Sequence, residues 1–86
     1  MKKGTILYVV NCESDYDEND IKKAVNNLQI DADLIETVYS RSDNYDVMDA
    51  WWALTRRGMK EIICRFAEIT INSGLKLTGR ELRLCG

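Results

Sequence analysis

The hydrophobic positions in the first half of the chain separate into strand-like and helix-like segments. Residues Thr5 to Cys12 are apolar and rich in β-favouring side chains, whereas Ala32 to Ser40 hold a second run of this kind. Both runs predict buried β-strands. Between them, apolar residues recur at helical spacing at Ile21, Ala24, Val25 and Leu28. This spacing predicts a helix that begins at an N-cap provided by Asp17 or Asn19.

A longer helical pattern follows Asn44 and runs across Gly58. Spacings of four and three alternate along it, and most of its positions are apolar: Met48, Trp52, Thr55, Met59, Ile62, Phe66, Ile69 and Ser73. The preferred interpretation is a helical segment from Met48 to Ser73, capped by Asp43 or Asn44 and broken or kinked at Gly58. An unbroken helix of this length would extend beyond a compact domain of this size and pair with a second chain.

The alternative interpretation ends the helix at Gly58, which suits a left-handed C-cap. Glu61 to Ile71 would then form a strand, as its isoleucines favour, and residues 72–74 a hairpin turn. Arg65 and Glu68 argue against it, because they would place a charge on each face of that strand. In both interpretations the alternating leucines Leu75, Leu77, Leu82 and Leu84 predict a final strand with a bulge or turn at Gly79.

The predicted fold is a single α/β domain covering residues 1–86, with three or four mostly parallel strands in the order β-α-β-α-(α or β)-β. The apolar run from Ile6 to Val10 is too short to span a membrane. The two lysines before it suggest a signal peptide, but no small-residue cleavage site follows. We therefore expect a protein that is not exported and has no membrane partner.

The amino-acid composition excludes several kinds of catalytic and metal-binding site. The chain has no histidine and only three cysteines, none of them in a Cys-x-x-Cys pair. Histidine-dependent nucleophilic catalysis and the commonest zinc sites are therefore excluded. An odd number of widely spaced cysteines predicts a reducing, cytoplasmic location. We expect no cofactor and no catalytic residues.

Acidic residues follow the first strand, at the edge where open α/β sheets bind ligands. Asp15, Asp17 and Asn19 match the first ligand positions of an EF-hand loop, but Asp20 replaces the required glycine. Asp15, Asp17 and Asp20 are thus only weak candidates for a divalent-metal site or a small enzyme site, and a solvated loop is preferred. The same acidic field would keep the Cys12 thiol protonated, so Cys12 is interpreted as structural.

The charge distribution is asymmetric. Residues 1–49 carry 5 basic against 11 acidic side chains, whereas residues 50–86 carry 7 against 3. If the basic residues of the second half converge, they form a patch that binds phosphate ligands or nucleic acid. The residues concerned are Arg56, Arg57, Lys60, Lys76, Arg80 and Arg83. Charge complementarity within the fold or between subunits is the preferred explanation.

Adjacent tryptophans at 51 and 52 differ by about 100° around a helix, so both rings share a core only if the apolar face is wide. Burial of both indoles is slightly preferred, and the alternative is that one of them reaches the edge of the apolar face. An exposed tryptophan is typical of a protein-binding hot spot. We therefore predict a small non-catalytic interaction module that binds an unidentified protein and itself, as a homodimer. The candidate contact residues are Trp51, Trp52, Met59, Ile62 and Phe66.

Overall fold

The computed structural model describes residues 2–10, 18–40, 44–70 and 74–85. Four strands and two helices follow one another there as β1 (Lys3–Val10), α1 (Glu18–Asn26), β2 (Leu34–Tyr39), α2 (Val47–Arg56), β3 (Glu61–Thr70) and β4 (Gly74–Cys85). The predicted α/β class is confirmed, and the first four elements are those predicted, with shifted ends.

The strands form one sheet in the order β2-β1-β3-β4. β1 pairs in parallel with both β2 and β3, whereas β3 and β4 are antiparallel. The sheet is therefore mixed, and the predicted parallel arrangement holds for β1, β2 and β3 only. β1 lies at the centre, which explains its unbroken apolar sequence: both of its faces are covered.

The preferred prediction of a helix after Gly58 is wrong, and the alternative of a helix that ends there and is followed by a strand is correct, with the strand ending at Thr70. Most of the turn expected over residues 72–74 lies outside the described residues. α2 ends at Arg56, and Gly58 adopts a φ of +84°, a left-handed conformation that glycine accepts without steric cost. The chain reverses there, since the Met59 N–H still donates to the carbonyl of Leu54 at 3.2 Å. Residues 61–70 then pair as β3, so the part of the apolar stripe from Met48 to Ile69 is divided between a helix, a turn and a strand.

The two charges that argued against a strand lie where the sheet tolerates them. Arg65 reaches Glu81 on β4, with 3.6 Å between its guanidinium and the carboxylate, and its side chain stays 32% exposed. Glu68 is paired in register with Lys76. Both charges thus face oppositely charged neighbours on the edge strand rather than the covered centre of the sheet.

The two helices cover opposite faces of the sheet, and each face has its own core. The larger core lies beneath α2 and consists of Ile6, Val38, Ala50, Leu54, Met59, Ile62 and Cys64. The smaller one lies beneath α1 and consists of Leu7, Val9, Val25 and Ala67. Alternate residues of β1 enter alternate cores, as the two-residue period of a strand requires.

The predicted bulge at Gly79 is confirmed. Arg65 pairs with Glu81, but Ala67 pairs with Leu77, so β4 contains extra residues around Gly79, whose φ is +88°. The expected helix caps differ. α2 begins after Asp46 rather than Asp43 or Asn44. Asn19 lies inside α1, and Asp17 is outside the described residues.

Candidate protein-binding surface

A reciprocal capping box fixes the start of α2. Asp46 accepts a hydrogen bond from the backbone N–H of Asp49 at 3.0 Å, and Asp49 accepts one from the N–H of Asp46 at 3.1 Å. These bonds satisfy two backbone donors and place both carboxylates at the positive end of the helix dipole. The capping box therefore sets where the helix begins and, with it, which side chains face the sheet.

The inner side of α2 is buried and the outer side carries large apolar side chains. Ala50 and Leu54 are fully enclosed against the sheet. On the opposite side of the helix, about half a turn from these residues, Met48 is 68% exposed and Trp52 is 56% exposed. The Trp51 and Trp52 rings meet edge to face with centroids 5.3 Å apart. Trp51 packs against the core, so it supports Trp52 at the surface.

The end of β4 extends this apolar region across the same face of the sheet. Leu82 pairs in register with Cys64 and Leu84 with Ile62, and both β3 residues belong to the core beneath α2. Leu82 is nevertheless 57% exposed, because α2 does not reach it. We call the combined area the α2–β4 surface; it comprises Val47, Met48, Trp51, Trp52, Leu82 and Leu84.

An open groove of about 600 Å³ lies within the α2–β4 surface. Its walls are almost entirely apolar and come from Val47, Met48, Trp51, Trp52 and Leu84. A groove with no titratable lining offers no group for acid–base chemistry, whereas it suits an apolar side chain or segment of another protein.

The candidate contact residues are not all at the surface. Met59 and Ile62 are core residues, 4% and 1% exposed. Phe66 is half-buried, with its ring 5.7 Å from that of Tyr8 in an edge-to-face contact. Trp52 alone among the five is highly exposed. Leu82 and Leu84, in contrast, were absent from the candidates, although their alternation beyond Gly79 indicated a strand with one apolar face.

Only some of the basic residues predicted to bind phosphate or nucleic acid lie close together. Lys60 and Arg83 line a depression of about 380 Å³ at the amino end of β1 and β3, together with Lys3 and Arg65. Asp31 and Glu61 line it too, which halves its net positive charge. Arg80 lies beside a separate, smaller depression. Arg56 and Arg57 are exposed at the end of α2, and Lys76 faces Glu68.

The acidic candidates fall mostly outside the described residues. This applies to Asp15, Asp17 and Cys12, while Asp20 lies on the first turns of α1. Among the residues described, no three acidic or cysteine side chains group closely enough to hold a metal ion. The Cys64 thiol is buried in the core, and burial raises its pKa.

Comparison with known proteins gives no family. No protein-family model matches the chain, and neither the curated proteins nor the solved structures yield a significant match. In the part of the chain that the structure describes, neither helix is long and apolar enough to cross a membrane. Any functional inference therefore rests on the residues and geometry given above.

Proposed function

We propose that this protein is a non-catalytic interaction module that binds proteins through the α2–β4 surface. The observation that carries the proposal is that Met48 and Trp52, two of the three large hydrophobic side chains most exposed among the described residues, line one apolar groove with Leu84. The third, Leu82, lies two residues before Leu84 on the same face of β4. Scattered exposed hydrophobics are ordinary, but a contiguous patch around a tryptophan is typical of an interface.

Local structure supports a binding role for these side chains. Trp52 is held by its contact with Trp51, and α2 is fixed by its capping box, so an approaching partner would meet a preformed surface. The partners proposed are a second copy of the chain and an unidentified protein. A cytoplasmic location, expected from the cysteines, remains part of this proposal.

Site-specific photocrosslinking in the cells that express the protein tests this function. A benzoylphenylalanine at Met48 should form adducts with protein, either this chain or another. The same group at Lys22 is the matched control, because Lys22 is an exposed residue of α1, on the opposite face of the sheet from α2. Trp52→Gln should reduce the Met48 adducts. Equal yields from both positions, or no protein adducts from Met48, would contradict the proposal.

A second candidate function is binding of a phosphate-bearing ligand or nucleic acid at the amino end of the sheet. It is favoured by the four basic side chains that line one depression there, Lys3, Lys60, Arg65 and Arg83. Binding of fluorescent single-stranded RNA or DNA should then weaken with salt and with Lys60→Gln. Binding that is insensitive to both would exclude this candidate.

A further inference from the structure

β4 is an edge strand with one side open for pairing. It pairs with β3 on one side, and among the described residues no strand lies on the other. It is also long: β4 has 12 residues, whereas β2 at the opposite edge has 6. An edge of this length presents unpaired backbone N–H and C=O groups, which favour the addition of another strand.

The charges after the bulge restrict how β4 pairs with its own copy. In an antiparallel pair, two residues directly opposite each other either both point their backbone groups towards the partner strand or both point them away. When the two strands are identical and related by a two-fold axis, the axis must therefore lie where one residue faces its own copy. An axis at Glu81 sets glutamate against glutamate, and an axis at Arg80 or Arg83 sets arginine against arginine. Like charges directly opposite each other destabilise a sheet.

An axis at Leu82 gives the opposite result. Leu82 then faces Leu82 of the second copy, and Glu81 faces Arg83 of the second copy twice, once on each side of the axis. Arg80 lies opposite Leu84, where the aliphatic part of the arginine covers the leucine. Moving the axis to Leu84 leaves too few residues to pair. Leu82 is thus the one position between Arg80 and Leu84 that combines opposite charges with apolar contact.

We infer that two copies of this chain pair through the β4 edges, antiparallel, with Leu82 on the two-fold axis, to form a continuous eight-stranded sheet. The inference rests on the proposed function, because Leu82 and Leu84 belong to the α2–β4 surface. Pairing places the two surfaces side by side on one face of the joined sheet. Glu81 then lies between Arg65 of its own chain and Arg83 of the other.

Charge complementation between two variants tests the register. Sedimentation equilibrium between about 10 and 300 μM should show a dimer for the natural chain. Arg83→Glu sets glutamate against glutamate and should weaken the dimer by about tenfold or more. Glu81→Arg should do the same with arginines. An equal mixture of the two variants should dimerise again, because each position then meets the opposite charge. Lys22→Glu, with the same charge change on α1, should leave dimerisation unchanged.

A disulfide locates the axis independently. In a Cys12→Ser/Cys85→Ser background, Leu82→Cys should form a disulfide-linked dimer under mild oxidation. Arg80→Cys should not, since the two copies of that residue are separated by four residue steps, roughly 13 Å along the strand. Circular dichroism confirms that each variant is folded.

The failures of the two proposals are distinguishable. A natural chain that is monomeric at the highest concentration, or a dimer unaffected by Arg83→Glu and not restored in the mixture, would overturn the β4 pairing. If Met48 still forms adducts with a different protein in that case, the binding function stands without self-pairing. A dimer with the expected register but no Met48 adducts would support β4 pairing and contradict the role of the α2 groove.

Discussion

The Tyr45 hydroxyl donates a hydrogen bond to Glu36 Oε1 at 2.9 Å and so ties the segment before α2 to β2. The half-buried ring also packs against the core beneath α2. Burial, followed by the hydrogen bond and negative charge of Glu36 and the charge of Asp49, raises the pKa of Tyr45 from 10 to about 12. Each of these effects disfavours the phenolate.

We expect Tyr45→Phe to change how stability depends on pH. The folded chain holds the Tyr45 proton more tightly than the unfolded chain, so the associated stability is complete below pH 10 and is lost as pH rises towards 12. Two pKa units set an upper limit of about 3 kcal/mol on this loss, and solvent screening reduces it. Urea denaturation between pH 9 and 11.5 should therefore show a shallower decline for the phenylalanine variant.

Tyr8→Phe is the matched control for this titration, since it removes another half-buried tyrosine beneath α2 and leaves the Glu36 hydrogen bond intact. If the Tyr45 variant and the natural chain lose stability in parallel through this pH range, the Tyr45–Glu36 contact does not control the titration.

We expect Gly4→Ala to destabilise the fold by about 1–3 kcal/mol through overpacking. A Cβ at residue 4 would lie 3.0 Å from Met59 Cγ and 3.2 Å from Leu54 Cδ1, where α2 and the following turn approach β1. Chemical denaturation measures the change. Gly4→Ala combined with Met59→Ala should cost less than the sum of the two single variants, and strict additivity would show that the contact is not the cause.

The hydrophobic spacing identified β1, α1, β2 and the start of α2, because the apolar residues of each segment fit either a helix or a strand but not both. It failed beyond Gly58. Ile62, Phe66 and Ile69 are spaced by four and three residues, which fits a helix, while their strand has apolar residues on both faces because both are covered. Burial on both sides erases the alternation by which a strand is recognised.

The binding surface was harder to predict than the fold. Met59 and Ile62 were included among the contact residues because a continuous helix would have presented them beside Trp52. Leu82 was omitted, since its place on the face of the sheet that carries α2 depends on the antiparallel pairing of β4 with β3. Spacing along the chain indicates which residues share a face of one element, but not which elements are neighbours.

We expect Gln29→Gly to stabilise the protein by up to about 1 kcal/mol. Gln29 has a φ of +52° in the turn between α1 and β2, a conformation that costs an L-residue about 1–2 kcal/mol. Glycine removes this cost but adds about 0.5–1 kcal/mol of unfolded-chain entropy. Thermal denaturation measures the balance. Asn27→Gly, in the same turn without a positive φ, should be destabilising, and equal effects of both substitutions would contradict the strain argument.

Trp52 and Leu54 lie on the same helix, and we expect their substitutions to separate binding from stability. Leu54 is 1% exposed, so Leu54→Ala should cost about 2–5 kcal/mol by removing buried contacts and leaving a cavity. Trp52 is 56% exposed and loses chiefly its edge contact with Trp51, so Trp52→Gln should cost under about 1.5 kcal/mol. Urea denaturation followed by circular dichroism, which does not depend on tryptophan fluorescence, compares the two.

The same comparison decides why a large indole stays at the surface. A small loss of stability in Trp52→Gln, together with fewer Met48 adducts, means that the side chain acts in binding rather than in folding. A loss as large as that of Leu54→Ala would instead make Trp52 a structural residue. The α2–β4 surface would then lack its central aromatic contact, and Leu82 and Leu84 would remain as its apolar residues on β4.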